Sequence, residues 1–563
     1  MNIIKLQLAD WLYNSGIVGF INIIKHNDEE IILNGQEVEF NEEVLENFEE
    51  KYFNYFIDTY EKTLSWYKII SFEEFIIKHE NDDFKNFDKN ALEHLNNYIG
   101  TGSKSGSIKY YLNSKSYQAA YSLIDKNFDI LKELKNLNKI NLKKDEKIDN
   151  KISEVKSAFS SIKHIISYCK SEKGRKYIAG KNVIYNIISN ALKGVSFLNS
   201  QPKIKDMYVD YKEYFVTKAK HYMKLQKQKY KYDCFICNSK INNLNNSLSF
   251  MNSTGFDINK KSSHVWNFTN DIAICDICRL IYSCVPAGFT YLYDKGIYIN
   301  ENHNVEHAVN INKKIKHEIL NIDESKGIYN AFGSLIIALK ESVNKSTVYE
   351  FADIQVVKFE ESKYKFNLLS KNLLKVLRDS THELDSLIKA NFKEVETYFR
   401  LYDETMKKLL NNENLFILIY KAMIIKISKP KNAHFNVNHI NNLLRVNTKY
   451  LKGVGVMENT EKDYVKSANG AGYYLKEAYK QKKSENKLDG ISYRLLNALK
   501  TNNKHMFMDT LLNCYLYTHK TVPQLFTDCL KDDYVFKTVG YAFVAGLIDS
   551  KKNENLNGGE NNG

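Results

Sequence analysis

Four of the eight cysteines have the spacing of a metal site. They form two Cys-x-x-Cys pairs, which consist of Cys234, Cys237, Cys275 and Cys278. A tight turn can direct both thiolates of such a pair to one metal ion, and two pairs complete the tetrahedral sulfur set that suits zinc. Because four thiolates leave no coordination position open, the sequence predicts a structural Zn²⁺ rather than a catalytic one.

Two alternatives to this cysteine site stay open. His264 or Cys284 could replace one ligand, and a Cys-x-x-Cys pair can be redox-active instead of metal-binding. The other cysteines are scattered and do not resemble a disulfide framework: Cys169, Cys284, Cys514 and Cys529. We therefore expect a reducing, cytoplasmic environment. No transmembrane helix is expected, since the most apolar run, 415–427, contains Lys421 and Lys426.

A second pattern suggests a different chemistry. His303, Glu306 and His307 match the H-x-x-E-H pattern of inverted zinc peptidases, in which two imidazoles one helical turn apart bind the ion. A zinc-dependent hydrolase is therefore an alternative function, and ordinary surface histidines are the alternative interpretation of these residues. The stretch from Gly174 to Lys181 imitates a phosphate-binding loop but has the wrong glycine spacing. In the absence of a further catalytic signature, we expect a protein that is not an enzyme.

The charged residues are unevenly distributed along the chain. The net charge is +13, from 80 Lys and Arg against 67 Asp and Glu. Residues 1–100 carry 8 basic and 20 acidic side chains, whereas residues 101–240 carry 29 basic and 12 acidic ones. The second block predicts a surface for a phosphate backbone, with a solvated lysine-rich surface as the alternative. Two basic segments, 100–109 and 171–181, are expected to be loops that carry the nucleic-acid contacts, which are Lys104, Lys109, Arg175, Lys176 and Lys181, with ordinary surface loops as the alternative.

The composition favours amphipathic helices, since 43% of the residues are hydrophobic and only 4 are proline. We predict an α+β fold that is predominantly α, in which a mixed N-terminal domain contains an embedded four-cysteine zinc module and a helical bundle follows at the C-terminus. A β-hairpin is expected at Asn34-Gly35, a break in the first helix at Gly16 and Gly19, and long helices over 370–428. The predicted divisions are an N-terminal domain with the basic region (1–230), a zinc-binding module (231–300), an α+β middle region (301–429), a C-terminal bundle (430–550) and a disordered tail (551–563).

Three stretches resemble one protein family. The opening segment 6–20, LQLADWLYNSGIVGF, resembles the start of the Cst-type large subunits of type I-B CRISPR effector complexes, the Cas eight-b group. The two cysteine pairs are similar to the zinc module of that family. Segments 491–499 and 539–547 resemble its helical C-terminal domain. The two basic segments correspond to no motif that can be assigned to the family.

The resemblance implies a large subunit of a Cascade complex, which is built around a CRISPR RNA. Such a subunit binds target double-stranded DNA, recognises the protospacer-adjacent motif, supports R-loop formation and helps to recruit a separate helicase-nuclease, without being catalytic itself. Its partners would be the CRISPR RNA with its backbone subunits, target DNA, and a small subunit from the same gene. RNA–DNA pairing would read the sequence, and the protein would read a short motif. A stand-alone structural zinc protein that binds no nucleic acid is the remaining alternative.

An internal translation start could supply the small subunit that systems of this kind make from the same gene. Lys452-Gly453-Val454 precedes Met457, and Lys-Gly-Val can be encoded by codons that contain a ribosome-binding sequence at a workable distance. Translation from Met457 would produce residues 457–563, a helical piece of mixed charge. An ordinary methionine after a glycine-containing loop is the alternative.

Overall fold

The computed structural model of this 563-residue chain describes residues 3–101, 106–125, 127–142, 146–199, 201–254, 273–292, 295–320 and 354–549. Helices dominate these residues, and small antiparallel sheets accompany them. The predicted α+β fold, predominantly α, is confirmed. The described residues form two compact units, one made of 3–320 with 356–366 and the other of 354–355 with 367–549.

The first unit contains most of the helices. Its α-helices are α1 (Trp11–His26), α2 (Phe48–Tyr60), α3 (Ser65–Ile70), α4 (Glu73–Asn81), α5 (Lys89–Ile99), α6 (Ile108–Leu112), α7 (Lys115–Ile124), α8 (Ile130–Asn136), α9 (Ile152–Lys170), α10 (Glu172–Gly174), α11 (Gly180–Val183), α12 (Ser189–Ala191), α13 (Met207–Tyr211), α14 (Thr217–Lys224), α15 (Asp276–Ser283), α16 (Val285–Gly288) and α17 (Val305–Leu320). Wider π-helical turns occupy Arg175–Ala179, Ile184–Ile188 and Lys212–Val216. Its strands are β1 (Ile3–Gln7), β2 (Ile32–Asn34), β3 (Glu37–Asn41), β4 (Tyr232–Asp233), β5 (Lys240–Ile241), β6 (Thr290–Leu292), β7 (Lys295–Asn300), β8 (Ile354–Glu360) and β9 (Lys363–Leu369), of which the last two extend beyond the unit.

The N-terminal segment forms a small sheet and one uninterrupted helix. The strand order is β1–β3–β2, and β2 and β3 form the predicted hairpin, in which Gly35 has the positive φ of 60° that the turn requires. Asp10 caps α1, because its Oδ1 accepts the Leu12 N–H over 2.9 Å. The predicted break at Gly16 and Gly19 is wrong, since α1 runs through both glycines, which serve helix packing instead.

The basic segment 171–181, predicted to be a loop, is helical. α10, a π-helical turn and α11 follow one another without interruption. Buried apolar side chains recur at helical spacing from this stretch into the turns that follow it, for example Tyr177, Ile184 and Ile188. This apolar face outweighs the local effect of the glycines and lysines. Of the other predicted loop, residues 102–105 lie outside the described residues.

The core of the first unit is built around α15 and α16. α1 packs against both helices. Tyr52 on α2 donates a hydrogen bond from its hydroxyl to the Ser283 carbonyl oxygen over 2.9 Å, and the Tyr211 hydroxyl lies 2.8 Å from Ser283 Oγ. The rings of Tyr52 and Tyr211 stack with their centroids 4.3 Å apart. Both buried hydroxyls are therefore paired, as buried polar groups require.

The second unit is a helical bundle with one small sheet. Its α-helices are α18 (Lys371–Asp379), α19 (Thr381–Ser386), α20 (Leu401–Leu410), α21 (Phe416–Ser428), α22 (Val437–Gly453), α23 (Tyr464–Gln481), α24 (Leu488–Lys500), α25 (Lys504–Thr518), α26 (Leu525–Asp528) and α27 (Asp533–Leu547). Its strands are β10 (Asn391–Glu394), β11 (Thr397–Arg400) and β12 (Ala433–His434), in the order β11–β10–β12. The long helices predicted over 370–428 are therefore interrupted by a hairpin that the sequence pattern did not indicate.

Two glycines allow α23 and α27 to pack closely. A Cβ on Gly472 would lie 2.0 Å from the Phe543 carbonyl oxygen, and one on Gly546 would lie 2.1 Å from the Asn469 carbonyl oxygen. Because any side chain there would collide with backbone, the bundle depends on small residues at this interface. The segment 539–547, on which the family resemblance partly rests, supplies one side of it.

The predicted segments fall into these two units as follows. The cysteine module belongs to the first unit, whereas the predicted boundary between the middle region and the C-terminal bundle, at 429–430, lies within the second. The finer division into domains stays a prediction, and the tail 551–563 lies outside the described residues. In the part of the chain that the structure describes, no helix has both the length and the apolarity needed to cross a membrane.

Candidate metal centre

The first cysteine pair lies in the turn between β4 and β5. The Cys234 N–H donates to the Ser239 carbonyl oxygen over 2.8 Å, and the Asn238 N–H donates to the Cys234 carbonyl oxygen over 3.0 Å. Asn238 has a φ of 56°, in the left-handed region that asparagine tolerates better than most residues. These bonds close a tight turn that carries both Cys234 and Cys237.

The second pair begins α15. Cys275 is the N-cap residue, and its Sγ accepts the Cys278 N–H over 3.4 Å. The Cys275 N–H in turn donates to Cys234 Sγ over 3.2 Å, which ties the two pairs together. Backbone N–H groups at a helix N-terminus favour negative charge, so this position supports thiolates.

The four sulfur atoms form one compact cluster. All four Sγ atoms lie within 4.8 Å of one another, and Cys237 Sγ is 3.6 Å from Cys275 Sγ. Tetrahedral coordination with metal–sulfur bonds of ~2.3 Å requires sulfur–sulfur distances of about 3.8 Å. Three of the cysteines are buried and Cys237 is exposed. The residues present therefore fit a metal ion bound by four sulfurs, and the predicted convergence of the two pairs is confirmed.

The thiols influence one another's ionisation. Hydrogen bonds from Cys234, Cys275 and Cys278 lower the pKa of Cys237. Hydrogen bonds with Cys234, Cys237 and Cys275 raise the pKa of Cys278 well above its usual value. The thiols of the cluster thus differ in how readily they ionise. Because all four must lose their protons to bind a metal ion, metal affinity depends on pH.

Side chains outside the cluster hold its two halves in place. Asn246 donates from its amide to Asp276 Oδ1 over 2.8 Å and accepts from an Arg279 guanidinium nitrogen over 2.9 Å. The Arg279 guanidinium lies over the Tyr214 ring, 4.0 Å from its centroid. Arg279 and Asp276 are on α15, whereas Asn246 lies in the segment between the cysteine pairs, so this network links that segment to the helix.

Helix α1 supports the centre from the other side. The Tyr13 hydroxyl lies 3.5 Å from Cys278 Sγ. A Cβ on Gly19 would lie 2.0 Å from the Cys284 carbonyl oxygen, and one on Gly288 would lie 2.0 Å from the Ser15 carbonyl oxygen. The sequence prediction missed this role of Tyr13 and the glycines. Small residues three apart in an apolar helix, at positions 16 and 19, are the signal that could have indicated it.

The alternative ligands do not join the cluster within the described residues. Cys284 is buried, its Sγ donates to the Leu280 carbonyl oxygen over 3.4 Å, and burial raises its pKa. His264 lies outside the described residues. All eight cysteines are free thiols.

The histidine pattern is not arranged as a metal site. His303 precedes α17, whereas Glu306 and His307 lie in its first turn, so the two histidines are not one turn apart in a helix. His303 Nδ1 lies 3.1 Å from Glu301 Oε1. Among the described residues, the four cysteines are the group of metal-ligating side chains that comes together. The geometry thus favours the cysteines and does not support the hydrolase.

The predicted DNA contacts lie in varied surroundings. Arg175 forms an ion pair with Asp58, and Lys176 lies 2.5 Å from a Glu50 carboxylate oxygen. Lys181 is only 7% exposed, and burial lowers its pKa. Lys109 is half-buried on α6, where burial also lowers its pKa. Lys104 lies outside the described residues. The role of these residues in DNA binding stays a prediction.

The acidic and basic blocks of the sequence pair with each other. Ion pairs in the described residues join Asp83 to Lys156, Glu80 to Lys163, Glu73 to Lys170, Asp58 to Arg175, Glu50 to Lys176, Glu49 to Lys212, Glu46 to Lys220 and Glu42 to Lys224. From one pair to the next, the acidic residue lies earlier in the sequence as the basic residue lies later, which is the pairing order of two antiparallel segments. We call this set the charge ladder. Part of the charge contrast seen in the sequence is thus neutralised within the chain.

The predicted start residue Met457 follows α22. It is 4% exposed, and its N–H donates to the Leu451 carbonyl oxygen over 3.3 Å. Gly455 precedes it with a φ of 77°. Met457 is thus packed against the helix that a product starting there would lack, and its use as a start stays a prediction.

Comparison with known proteins identifies the cysteine segment. A protein-family model described as CRISPR-associated protein (Cas_CXXC_CXXC) matches residues 227–290. The matched segment contains all four cysteines of the cluster, the hairpin of β4 and β5, and helices α15 and α16. No curated protein and no solved structure matches the chain significantly. The match indicates a CRISPR-associated protein.

Proposed function

We propose that this chain is the non-catalytic large subunit of a type I-B CRISPR effector complex, Cascade, in the cytoplasm. It would bind target double-stranded DNA, recognise the protospacer-adjacent motif, support R-loop formation and help to recruit the helicase-nuclease. The observation that carries the proposal is the sulfur cluster, which lies in a segment that matches a CRISPR-associated family and contacts α1. Tyr13 in the opening motif and Cys278 are 265 residues apart in sequence. Two features that resemble the same family therefore meet in one core.

We propose zinc as the metal ion. Four sulfur donors at tetrahedral separation are the set that structural zinc sites use. Bound zinc would offset part of the negative charge of the thiolates and link the β4–β5 turn to the start of α15. Its function would be to stabilise the surface against which α1 packs, since four ligands leave no position for substrate.

The basic region would face the target DNA in this proposal. Arg175 and Lys176 would exchange their carboxylate partners for phosphates, which lowers the net gain from each contact. Exposed lysines outside the charge ladder, such as Lys173, Lys203 and Lys229, carry no such cost and support a phosphate-binding surface.

A small subunit beginning at Met457 belongs to the same proposal. Residues 457–549 contain α23 to α27, and the close packing of α23 on α27 supports a separately folded piece. In the full chain α22 also packs against α27. The small subunit would need a neighbouring protein to cover the face that α22 covers here.

The assembly is tested by purification of the C-terminally tagged chain expressed from its native gene neighbourhood, followed by mass spectrometry. We expect CRISPR RNA, backbone subunits and a tagged fragment starting at Met457. Changing the Met457 codon to a non-start codon should remove the fragment and leave the full chain. Recovery of the full chain without RNA or other subunits would contradict the proposal, and a fragment that persists would exclude this start.

The metal site is tested by elemental analysis of the purified full chain. We expect about one zinc ion per chain, lost in Cys278→Ser because three sulfur ligands bind zinc much more weakly than four. Cys514→Ser is the matched control, since Cys514 is also buried but lies on α25 in the second unit. Equal zinc content in Cys278→Ser and the unchanged chain would contradict the assignment.

A further inference from the structure

One face of the β11–β10–β12 sheet carries a distinctive set of side chains. The antiparallel register places Arg400 and His434 on either side of Asn391, and Tyr398 opposite Lys393. Because successive residues of a strand point to opposite faces, these five residues share one face. We call it the polar sheet face.

The other face of the sheet is packed. Phe392 is fully buried and stacks on Phe399 with the ring centroids 5.4 Å apart. Lys421 of α21 lies over both rings and pairs with Glu394 over 2.7 Å. The strands thus place Phe392, Phe399 and Glu394 on the side that faces α21. Their cationic side chains and the Asn391 amide lie on the polar sheet face.

The polar sheet face borders an open cleft. Asn391, Tyr398, Arg400 and His434 line a volume of about 500 Å³, which is within the range of small-ligand sites. Tyr398 is 56% exposed, and its ring centroid lies 5.9 Å from that of His434. A tyrosine ring that is so exposed contributes little to the stability of the fold and is accessible to a ligand.

The charges on this face suit an anion. Arg400 is one of only six arginines in a chain of 80 basic residues. Lys393 adds a second cation near the Tyr398 ring, 5.7 Å from its centroid, and is bonded to Glu396 in the hairpin turn. Asp403 interacts with Arg400, and burial raises the pKa of this carboxyl to about 6, so that it is still mostly ionised at pH 7 and offsets part of the charge of Arg400.

We propose that the polar sheet face binds an unpaired stretch of nucleic acid. A base would stack on the Tyr398 ring, Arg400 would hold an adjacent phosphate, and the Asn391 amide would contact a base edge. Stacking on an exposed aromatic side chain beside cations is how proteins bind single strands without strong sequence preference. The assignment of this strand to the displaced strand of an R-loop rests on the proposed function, whereas the binding itself rests on the sheet.

The test measures binding of labelled single strands of about 15 nucleotides to the full chain by fluorescence anisotropy. We expect Tyr398→Ala to weaken binding roughly 5- to 150-fold, whereas Tyr398→Phe, which retains the ring, stays within about twofold. Arg400→Gln should weaken binding and reduce its salt dependence. Tyr474→Ala is the matched control, because Tyr474 is 73% exposed on α23 and should not matter.

Three comparisons make the result specific. Ribose and deoxyribose strands distinguish RNA from DNA as the ligand, and a blunt duplex should depend much less on Tyr398. An iodouracil-containing strand should cross-link to Tyr398 or His434 after irradiation. Equal binding by Tyr398→Ala and the unchanged chain, or an equal loss in Tyr474→Ala, would overturn the proposal.

The same variants separate this inference from the proposed function. Tyr398→Ala chain should still purify with CRISPR RNA and backbone subunits, because the polar sheet face lies outside the metal-bearing unit. If the chain purifies alone yet binds single strands through Tyr398, the Cascade proposal fails and the binding site stands. If the complex forms but Tyr398→Ala binds single strands normally, the Cascade proposal stands and the proposed binding site fails.

Discussion

Lys316 lies in an environment that is uncommon for a lysine. It lies on α17, is 7% exposed, and its Nζ donates to the Tyr55 hydroxyl over 2.6 Å and to the Ala287 carbonyl oxygen over 2.8 Å. Burial lowers the pKa of this amine to about 7 from its usual 10.5. Above pH 7 the unfolded chain therefore binds a proton that the folded chain does not, and stability rises with pH up to about 10.5.

Lys316→Met should stabilise the first unit at neutral pH. Removing an amine whose pKa falls on folding should raise the free energy of unfolding by about 4 kcal/mol at pH 7. The loss of its two hydrogen bonds should lower that free energy by about 1 kcal/mol each. The Ala287 carbonyl oxygen keeps bonds from Asn22 and Tyr55. We expect the free energy of unfolding, measured by thermal unfolding, to increase by about 2 kcal/mol. We also expect it to change less with pH between neutral and alkaline buffer.

Lys313→Met is the control for this change, since Lys313 lies on the same helix but is exposed. It should change neither the midpoint at neutral pH nor its pH dependence. A Lys316→Met chain that is less stable at pH 7, or that keeps the full pH dependence, would show that the amine is not buried in its neutral form.

Between secondary-structure elements, helices pack closely at glycine residues in both units. α1 meets α15 and α16 through Gly16, Gly19 and Gly288, and α23 meets α27 in the same manner through other glycines. Absence of a Cβ lets backbones approach, so one added methyl group must move a whole helix. The metal centre and α1 should therefore respond together to a change at either.

Gly19→Ala should destabilise the chain and weaken metal retention. Its new Cβ would meet the Cys284 carbonyl oxygen, a backbone atom that can move only with its helix, so we expect a loss of about 1–3 kcal/mol. Thermal unfolding and zinc retention against a chelator measure both effects.

Gly470→Ala is the matched control for this substitution. Gly470 lies within α23, and a Cβ there meets nothing within 4 Å. Since alanine is the better helix former, this variant should be about 0.5–1 kcal/mol more stable. Similar stability changes in both variants would contradict the role of Gly19 in packing.

For the molecule as a whole, the charge ladder shapes what the basic block can do. Most of its pairs are solvent-exposed and contribute little each, because water screens them. The pair of Lys212 with Glu49 differs, since the Glu49 side chain is only 7% exposed, whereas Glu46 in the pair with Lys220 is 67% exposed. The ladder therefore has one buried carboxylate whose partner matters.

Lys212→Met should cost about 1–3 kcal/mol, because it leaves the buried Glu49 carboxylate without its cation. Lys220→Met removes an equal charge from the same ladder, yet it should stay within about 0.5 kcal/mol. Thermal unfolding of the full chains at one salt concentration compares the two. Equal effects would mean that burial of Glu49 does not govern the ladder's stability.

The sequence by itself determined those features of this protein that depend on residues close to one another in the chain. Cys-x-x-Cys spacing alone determines that two thiols can meet in one turn, and the Asn34-Gly35 hairpin and the predominance of helix follow from short-range preferences. The match of segment 227–290 to a CRISPR-associated family also depends on local sequence. These predictions hold because they depend on neighbours a few residues apart.

Only the tertiary structure decided which charges and rings are accessible. Arg175 and Lys181 look alike in sequence, yet one is paired and the other buried. The polar sheet face depends on β12, which joins β10 from more than 30 residues further along the chain, so local patterns could not indicate it. Gly19 likewise signals flexibility in sequence but close packing in the fold. In each case the deciding contact comes from a distant segment, and its free energy exceeds the local preference.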